Sequence, residues 1–441
     1  MNEDRTYDII IHNGAILTVN ADFDVVGNGI VCISDGRIER VEAKTTGKPL
    51  PSARKSIDAR GGIIMPGLVN THTHAPMVLF RGLADDLPLM TWLEEYIFKA
   101  EGRWLNPETV YSASRLACAE MLLSGTTTCC DGYFFEDSVA QAVQESGMRA
   151  VLGQGVVDFP APGVPDPEKN VAEAMAFIQK WQGKTPLIVP GIFCHSPYTC
   201  SKKTLKQARE AANEAGCLFQ IHVAETQNEV KQIRKEFGIS PTQYLESLGI
   251  LNDRTLAVHA IWVDEEDISL IAKRGVGLSV TTESEMKLAS GVAPVPRFLE
   301  IGISVGIGTD GCASNNNLDM FQEMDFVAKL HKVDNLDPTV LNASQVLNLA
   351  TRDGAAAIGL EKEIGSVEAG KRADLIIIDT HKPHLTPLYD PASHLVYAVN
   401  GGDVKDVIID GRVVVENGVV LTMNVDEVIE EVEKLGRKIA S

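Results

Sequence analysis

The sequence contains no CxxC pair and no zinc-finger spacing, although it holds eight cysteines. A disulfide framework is therefore not expected. Reduced, buried thiols in a cytoplasmic protein are. No apolar run reaches the roughly 18 residues of a membrane-spanning helix, so no span is expected. Positive charge is scarce, with 40 Lys and Arg against 60 Asp and Glu and a net charge of −20. An acidic surface of that size repels nucleic acid and anionic membranes, and neither is expected as a partner. It leaves room for a local cationic centre. The opening Met1-Asn2-Glu3-Asp4-Arg5 is polar and leads into a strand pattern, so no signal peptide is expected.

What is present is a long chain of ordinary globular composition. Its 441 residues are 44% apolar and 23% charged, enough for a sizeable core. The first sixty residues read as short strands and turns, with hairpins expected about Asn13-Gly14 and Asp35-Gly36. From residue 62 apolar strands alternate with amphipathic helices, such as Pro107–Leu123 after an Asn106 cap. Eight strand candidates run from Gly62–Thr71 to Ile303–Gly308. That many β/α repeats argue for a parallel (β/α)8 barrel, which takes roughly 250 residues. Strands return near Gly365, with a hairpin about Asp410-Gly411. The expected architecture is α/β: a barrel over 62–364 inserted into a small β-sandwich built from 1–61 and 365–424, with a helix over 425–441.

The richest segment is Pro66-Gly67-Leu68-Val69-Asn70-Thr71-His72-Thr73-His74. Residues i and i+2 of a strand point to the same side, so His72 and His74 reach a common point. A barrel places its chemistry at the C-terminal strand ends. Reading those ends adds Asp131, His195, His222 with Glu225 three beyond, His259 and Asp310. His72, His74, His222 and Asp310 are the expected ligands of one divalent metal, since neutral imidazoles with a carboxylate suit zinc or ferrous iron.

This constellation resembles the amidohydrolase superfamily, and within it the 5′-methylthioadenosine/S-adenosylhomocysteine deaminases. The resemblance rests on Thr73-His74-Ala75-Pro76, His195-Ser196-Pro197-Tyr198, His222-Val223-Ala224-Glu225-Thr226 and Gly308-Thr309-Asp310-Gly311-Cys312-Ala313-Ser314-Asn315-Asn316, among others. The fourth strand ends in Phe193-Cys194-His195 without the lysine that bridges two metals in some members, and Lys184 lies at the wrong end, so one metal is expected. The resemblance implies an enzyme that hydrolytically deaminates an adenine nucleoside. Asp310 accepts the proton of the attacking water, Glu225 protonates the ring nitrogen, and His259 orients and stabilises the addition. It also implies substrate contacts from His195, from Glu101 to the ribose, from Trp92 beside the 5′ group, and from Ser314. A homo-oligomer is expected.

Two departures bear on the substrate. The third strand ends Gly153-Gln154-Gly155-Val156-Val157-Asp158 without the family's arginine, and Arg149 begins that strand. After the seventh strand, Thr281-Thr282-Glu283-Ser284-Glu285 replaces Asn-Pro-x-Ser-Asn. The added glutamates are expected to disfavour an anionic substrate group. Both changes lean toward methylthioadenosine, 5′-deoxyadenosine or adenosine. A hydrolase of another heterocycle, such as guanine, a pterin or an s-triazine, remains open, as does a non-catalytic scaffold.

Overall fold

Eight parallel strands pair in sequence order, from Leu68–Thr73 through Thr126–Tyr133, Arg149–Val156, Ile188–Cys194, Phe219–Val223, Thr255–His259 and Gly277–Val280 to Val305–Ile307. The structure is a computed structural model that describes residues 6–440. A parallel bridge between Thr73 and Asp310 closes the eight strands into a barrel. Nearly every strand residue is buried, as helices on the outside and packed side chains within require. Phe80, Phe219, Phe298 and Phe321 are among the largest fully buried side chains. Each such ring contributes roughly 1.5–3 kcal/mol through burial.

The helices begin where their caps dictate. Pro107–Leu123 starts at Asn106, whose side chain accepts the N–H groups of Glu108 and Thr109 in a capping box. Lys202–Ala215 is capped by Ser201 and ends at Gly216, which has a left-handed φ of +66°. The last helix, Val425–Ile439, docks on Pro107–Leu123, where Ser112 Oγ donates to Glu431 at 2.5 Å.

Both chain ends build a second, nine-stranded sheet. Its path runs from Val419–Val420 through Arg412–Glu416, Val404–Ile409, Leu375–Ile378, Ile63–Pro66, Tyr7–Leu17 and Val25–Ser34 to Arg37–Ala43, with Ala53–Asp58 beside Tyr7–Leu17. Strands from the two ends of this path share one core, which includes Ile11, Ile33, Ile38, Leu375 and Ile408.

Two local expectations change. Asn13-Gly14 is not a hairpin: Tyr7–Leu17 is one strand, and Asn13 with φ +60° marks a bulge in it. A Cβ on Gly14 would lie 2.8 Å from both Ala59 Cβ and the Gly62 carbonyl, so the bulge needs glycine there. The expected strand Gly62–Thr71 is two strands. Ile63–Pro66 pairs with Leu375–Ile378 in the terminal sheet, and Leu68–Thr73 opens the barrel. Gly67 divides them where any Cβ would strike Thr127 at 2.1 Å.

One buried ion pair ties sheet to barrel. Arg149 at the start of the third strand donates to Asp374, from Nε at 2.6 Å and from Nη2 at 3.1 Å. Asp374 also accepts the Asp410 N–H at 2.8 Å. Removing one member of such a pair leaves a buried charge unmatched and costs about 3–5 kcal/mol. Arg149→Met is therefore expected to lower the unfolding free energy from urea titration by about that amount, and an unchanged midpoint would rule the pair out as an anchor.

Candidate metal centre and active site

The strand ends bring the histidines together. His72 and His222 face each other with Nε2 atoms 3.2 Å apart. Asp310 Oδ1 lies 3.7 Å from His72 Nε2 and 3.4 Å from His74 Nε2. Donor atoms of His72, His74 and His222 all fall within 4.8 Å of one another. A tetrahedron with zinc–nitrogen distances of about 2.0–2.1 Å has edges of roughly 3.3 Å. The four groups thus hold the spacing of a small metal's ligand shell. Lone pairs packed this closely repel unless a cation lies among them.

Neighbouring groups set the protonation that ligation requires. His74 Nδ1 donates to the Gly132 carbonyl at 2.6 Å, which leaves its Nε2 lone pair facing the centre. Burial, aided by the surrounding imidazoles, holds His72 and His222 well below the usual histidine range, so both are neutral. Burial alone would raise the Asp310 carboxyl, but His74, His72 and His259 outweigh it and hold it at about 2. Its Oδ2 accepts hydroxyls from Ser284 at 2.7 Å and Ser314 at 2.9 Å.

Beside these four stand Glu225 and His259, with His259 Nε2 3.8 Å from Glu225 Oε2. Burial raises the Glu225 carboxyl. Burial would lower His259, but Glu225, Glu285 and Asp310 raise it to about 9. Ala224, His259, Ala260 and Asp310 adopt left-handed φ values of +54°, +74°, +49° and +60°. Such backbone costs about 1–3 kcal/mol per residue and gathers where side chains are aimed for function.

One cavity of about 760 Å³ opens above this group. His74, His195, His222, Glu225, His259, Asp310 and Ser314 line it, as do Trp92 and Glu101, while His72 is fully buried beneath. The residues expected as metal ligands, catalytic groups and substrate contacts therefore meet in one place. Its outer part is apolar, built by Leu89, Leu93, Ile97, Phe98, Phe159 and Leu288. Glu101 is held by the Tyr133 hydroxyl at 2.5 Å, and burial brings it to about 7. His195 is lowered to about 4, chiefly by burial, and its Nδ1 meets Thr199 Oγ1 at 3.0 Å.

The glutamates after the seventh strand do not face this cavity, contrary to expectation. Glu283 accepts from Asn317 and Gln322, away from it. Glu285 is 2% exposed and lies behind His259. Asp131, also at a strand end, stays outside the cavity and accepts the Ala75 N–H at 2.5 Å. Sequence reasoning overlooked Ser284, Tyr133 and Glu229. Glu229 had a signal, since Thr226-x-x-Glu229 is the capping pattern at a helix start.

A parallel barrel with three imidazoles and a carboxylate converging at its C-terminal strand ends defines a class: barrel hydrolases with a metal centre. The amidohydrolase family pattern matches residues 63–414, and the chain belongs to that family. It is 46% identical over 432 residues to 5-methylthioadenosine/S-adenosylhomocysteine deaminase of Syntrophobacter fumaroxidans, covering 98% of both chains. It is 43% identical over 435 residues to 5′-deoxyadenosine deaminase of Methanosarcina mazei, covering 98% of this chain and 99% of that one. A zinc-bound adenosine deaminase structure from Xanthomonas campestris superposes with a TM-score of 0.96 at 35% identity, covering 99% of each chain.

Glu229 fixes the loop that carries Glu225. Its carboxylate accepts the N–H groups of Ala224 at 2.7 Å and Glu225 at 3.0 Å. Leaving a buried donor unpaired costs about 1–3 kcal/mol. Glu229→Ala is expected to speed amide exchange at Ala224 and Glu225 by about tenfold or more, read by hydrogen–deuterium exchange. Equal protection in the variant would exclude the clamp.

Proposed function

We propose that the protein is a metal-dependent deaminase of adenine nucleosides, converting the adenine ring to hypoxanthine with release of ammonia. The observation that carries this is one cavity uniting a four-group metal shell, a carboxyl raised by burial and a buried imidazole. The names of the relatives support it, as does the make-up of the cavity, mostly apolar walls with a few convergent polar groups, which is that of a small-molecule site. The eight cysteines, all buried and unpaired, fit a cytoplasmic setting.

His72, His74, His222 and Asp310 would hold the ion, zinc or ferrous iron. When bound, such an ion supplies a water acidified to about neutral pH. Asp310, steadied by Ser284 and Ser314, takes the water's proton and later passes it to the leaving amine. Glu225 gives its proton to N1 as water adds at C6, which lowers the cost of breaking aromaticity. His259 Nε2 faces the carbon's new oxygen and stabilises its charge. Glu101 accepts from the ribose hydroxyls, His195 contacts the nucleoside, and Trp92 walls the 5′ group.

The substituent at the 5′ position meets a surface without cations. Among the described residues no lysine or arginine lines the cavity. Arg149 is spent on Asp374, and Lys287 on Asp85 at 2.6 Å and on Asn316. The third strand ends in Gly155, Val156 and Val157 there. A homocysteine carboxylate thus forgoes a charge-assisted bond worth about 1.5–3 kcal/mol, or roughly 10- to 100-fold in rate.

Two measurements test this reading. Ammonia release from zinc-loaded protein is expected with methylthioadenosine and 5′-deoxyadenosine, at kcat/KM about 10- to 100-fold above S-adenosylhomocysteine. Turnover of guanine or triazines alone would sink the nucleoside assignment, and equal use of S-adenosylhomocysteine would sink the tail argument. Asp310→Asn is expected to cut kcat by about 10²–10⁴, the usual contribution of a positioned proton acceptor. Activity at the parent level in that variant would remove Asp310 from the proton path.

A further inference from the structure

His259 is held from behind by groups that the mechanism leaves unused. Its ring stacks on His222 with centroids 5.1 Å apart and planes 29° apart. Nε2 points toward Glu225 and the cavity. Nδ1 points the other way, to Thr281 Oγ1 at 3.0 Å and Glu285 Oε1 at 3.4 Å. The same Glu285 oxygen accepts the Thr281 N–H at 3.1 Å. Glu285 is 2% exposed and reaches no part of the cavity.

A carboxylate is an acceptor only, so the nitrogen that faces it carries hydrogen. The left-handed φ of +74° at His259 lifts its ring off the strand line, so the strand does not by itself fix where the ring points. The helix Thr282–Lys287 supplies what the strand lacks. On successive residues, Ser284 binds Asp310 and Glu285 binds His259.

We propose that Glu285 is a positioning residue for the reaction: through Nδ1–H it holds the His259 ring so that Nε2 stays aimed at the oxygen being added. The proposal rests on the deaminase reading above. It acts in the transition state more than in substrate binding, so its loss lowers kcat rather than raising KM.

The test is a double-mutant cycle with zinc-loaded protein and the best substrate that the parent turns over. Glu285→Met is expected to lower kcat about 10- to 100-fold with KM within about threefold, as loss of an orienting partner typically does. Zinc content is expected to match the parent, and the melting temperature to fall by no more than a few degrees, as an unpaired Thr281 N–H implies. Glu285→Gln, whose amide oxygen still accepts, is expected to restore most of kcat. In a His259→Ala background, Glu285→Met is expected to cost nothing further. Additive losses, an unimpaired Glu285→Met variant or a Gln variant as weak as Met would each overturn the proposal. Should the Met variant fail to fold, Glu285→Ala serves the same cycle. A parent that deaminates no nucleoside refutes the deaminase reading instead, and the cycle then runs on whichever heterocycle it hydrolyses.

Discussion

The eighth barrel strand meets the first through the Asp310 N–H, which donates to the His72 carbonyl at 3.0 Å. Two positions 238 residues apart in the chain thereby become neighbours, and their side chains come within 3.7 Å. The contact needs bare backbone on one side. A Cβ on Gly308 would lie 2.5 Å from the His72 nitrogen, so glycine there lets the strands close. Asn70 reinforces the seam, accepting the Thr309 N–H at 3.1 Å and donating to its hydroxyl at 2.7 Å. A seam one residue out of register would turn His72 and His74 away from Asp310, because strand side chains alternate faces.

Closure also explains why so much polarity survives burial. His72, His222, His259 and Asp310 are buried, and Glu225 is largely so. Burial drives His72 and His222 neutral, which is the form that binds a metal, while grouped carboxylates hold His259 cationic. One environment therefore yields opposite protonation states on adjacent rings. The difference is the carboxylates, Glu225 and Glu285, that stand on either side of His259.

Much of this was legible because strand parity is local. His72-x-His74 needs only a strand to point both rings one way, and repeated strand ends needed only the barrel. The Asn106-Pro107 start was legible for a similar reason, since a cap and its helix are neighbours in sequence. The failures are tertiary. Asn13-Gly14 has hairpin chemistry, but Tyr7–Leu17 has partners on both edges and absorbs those residues as a bulge. Gly67 reads as an ordinary strand glycine until Thr127 is seen against it. The glutamates after the seventh strand looked like cavity charges, because sequence gives position but not which way a short helix turns its side chains. Glu285 sits one residue past the serine that reaches Asp310 and points behind the histidine instead.

The division between strand and loop separates chemistry from recognition. Groups that bear on the ring lie at strand ends or one turn beyond, where a shift of an ångström breaks the metal shell. The apolar outer walls of the cavity come largely from longer excursions: Leu89 through Phe98, Phe159 and Leu288. None of those residues supplies a group to the cluster of His72, His74, His222 and Asp310. Val157 supplies none either, and the third strand is anchored at its far end by Arg149. A barrel closed at one seam thus keeps a fixed centre under a rim built by other segments of the chain.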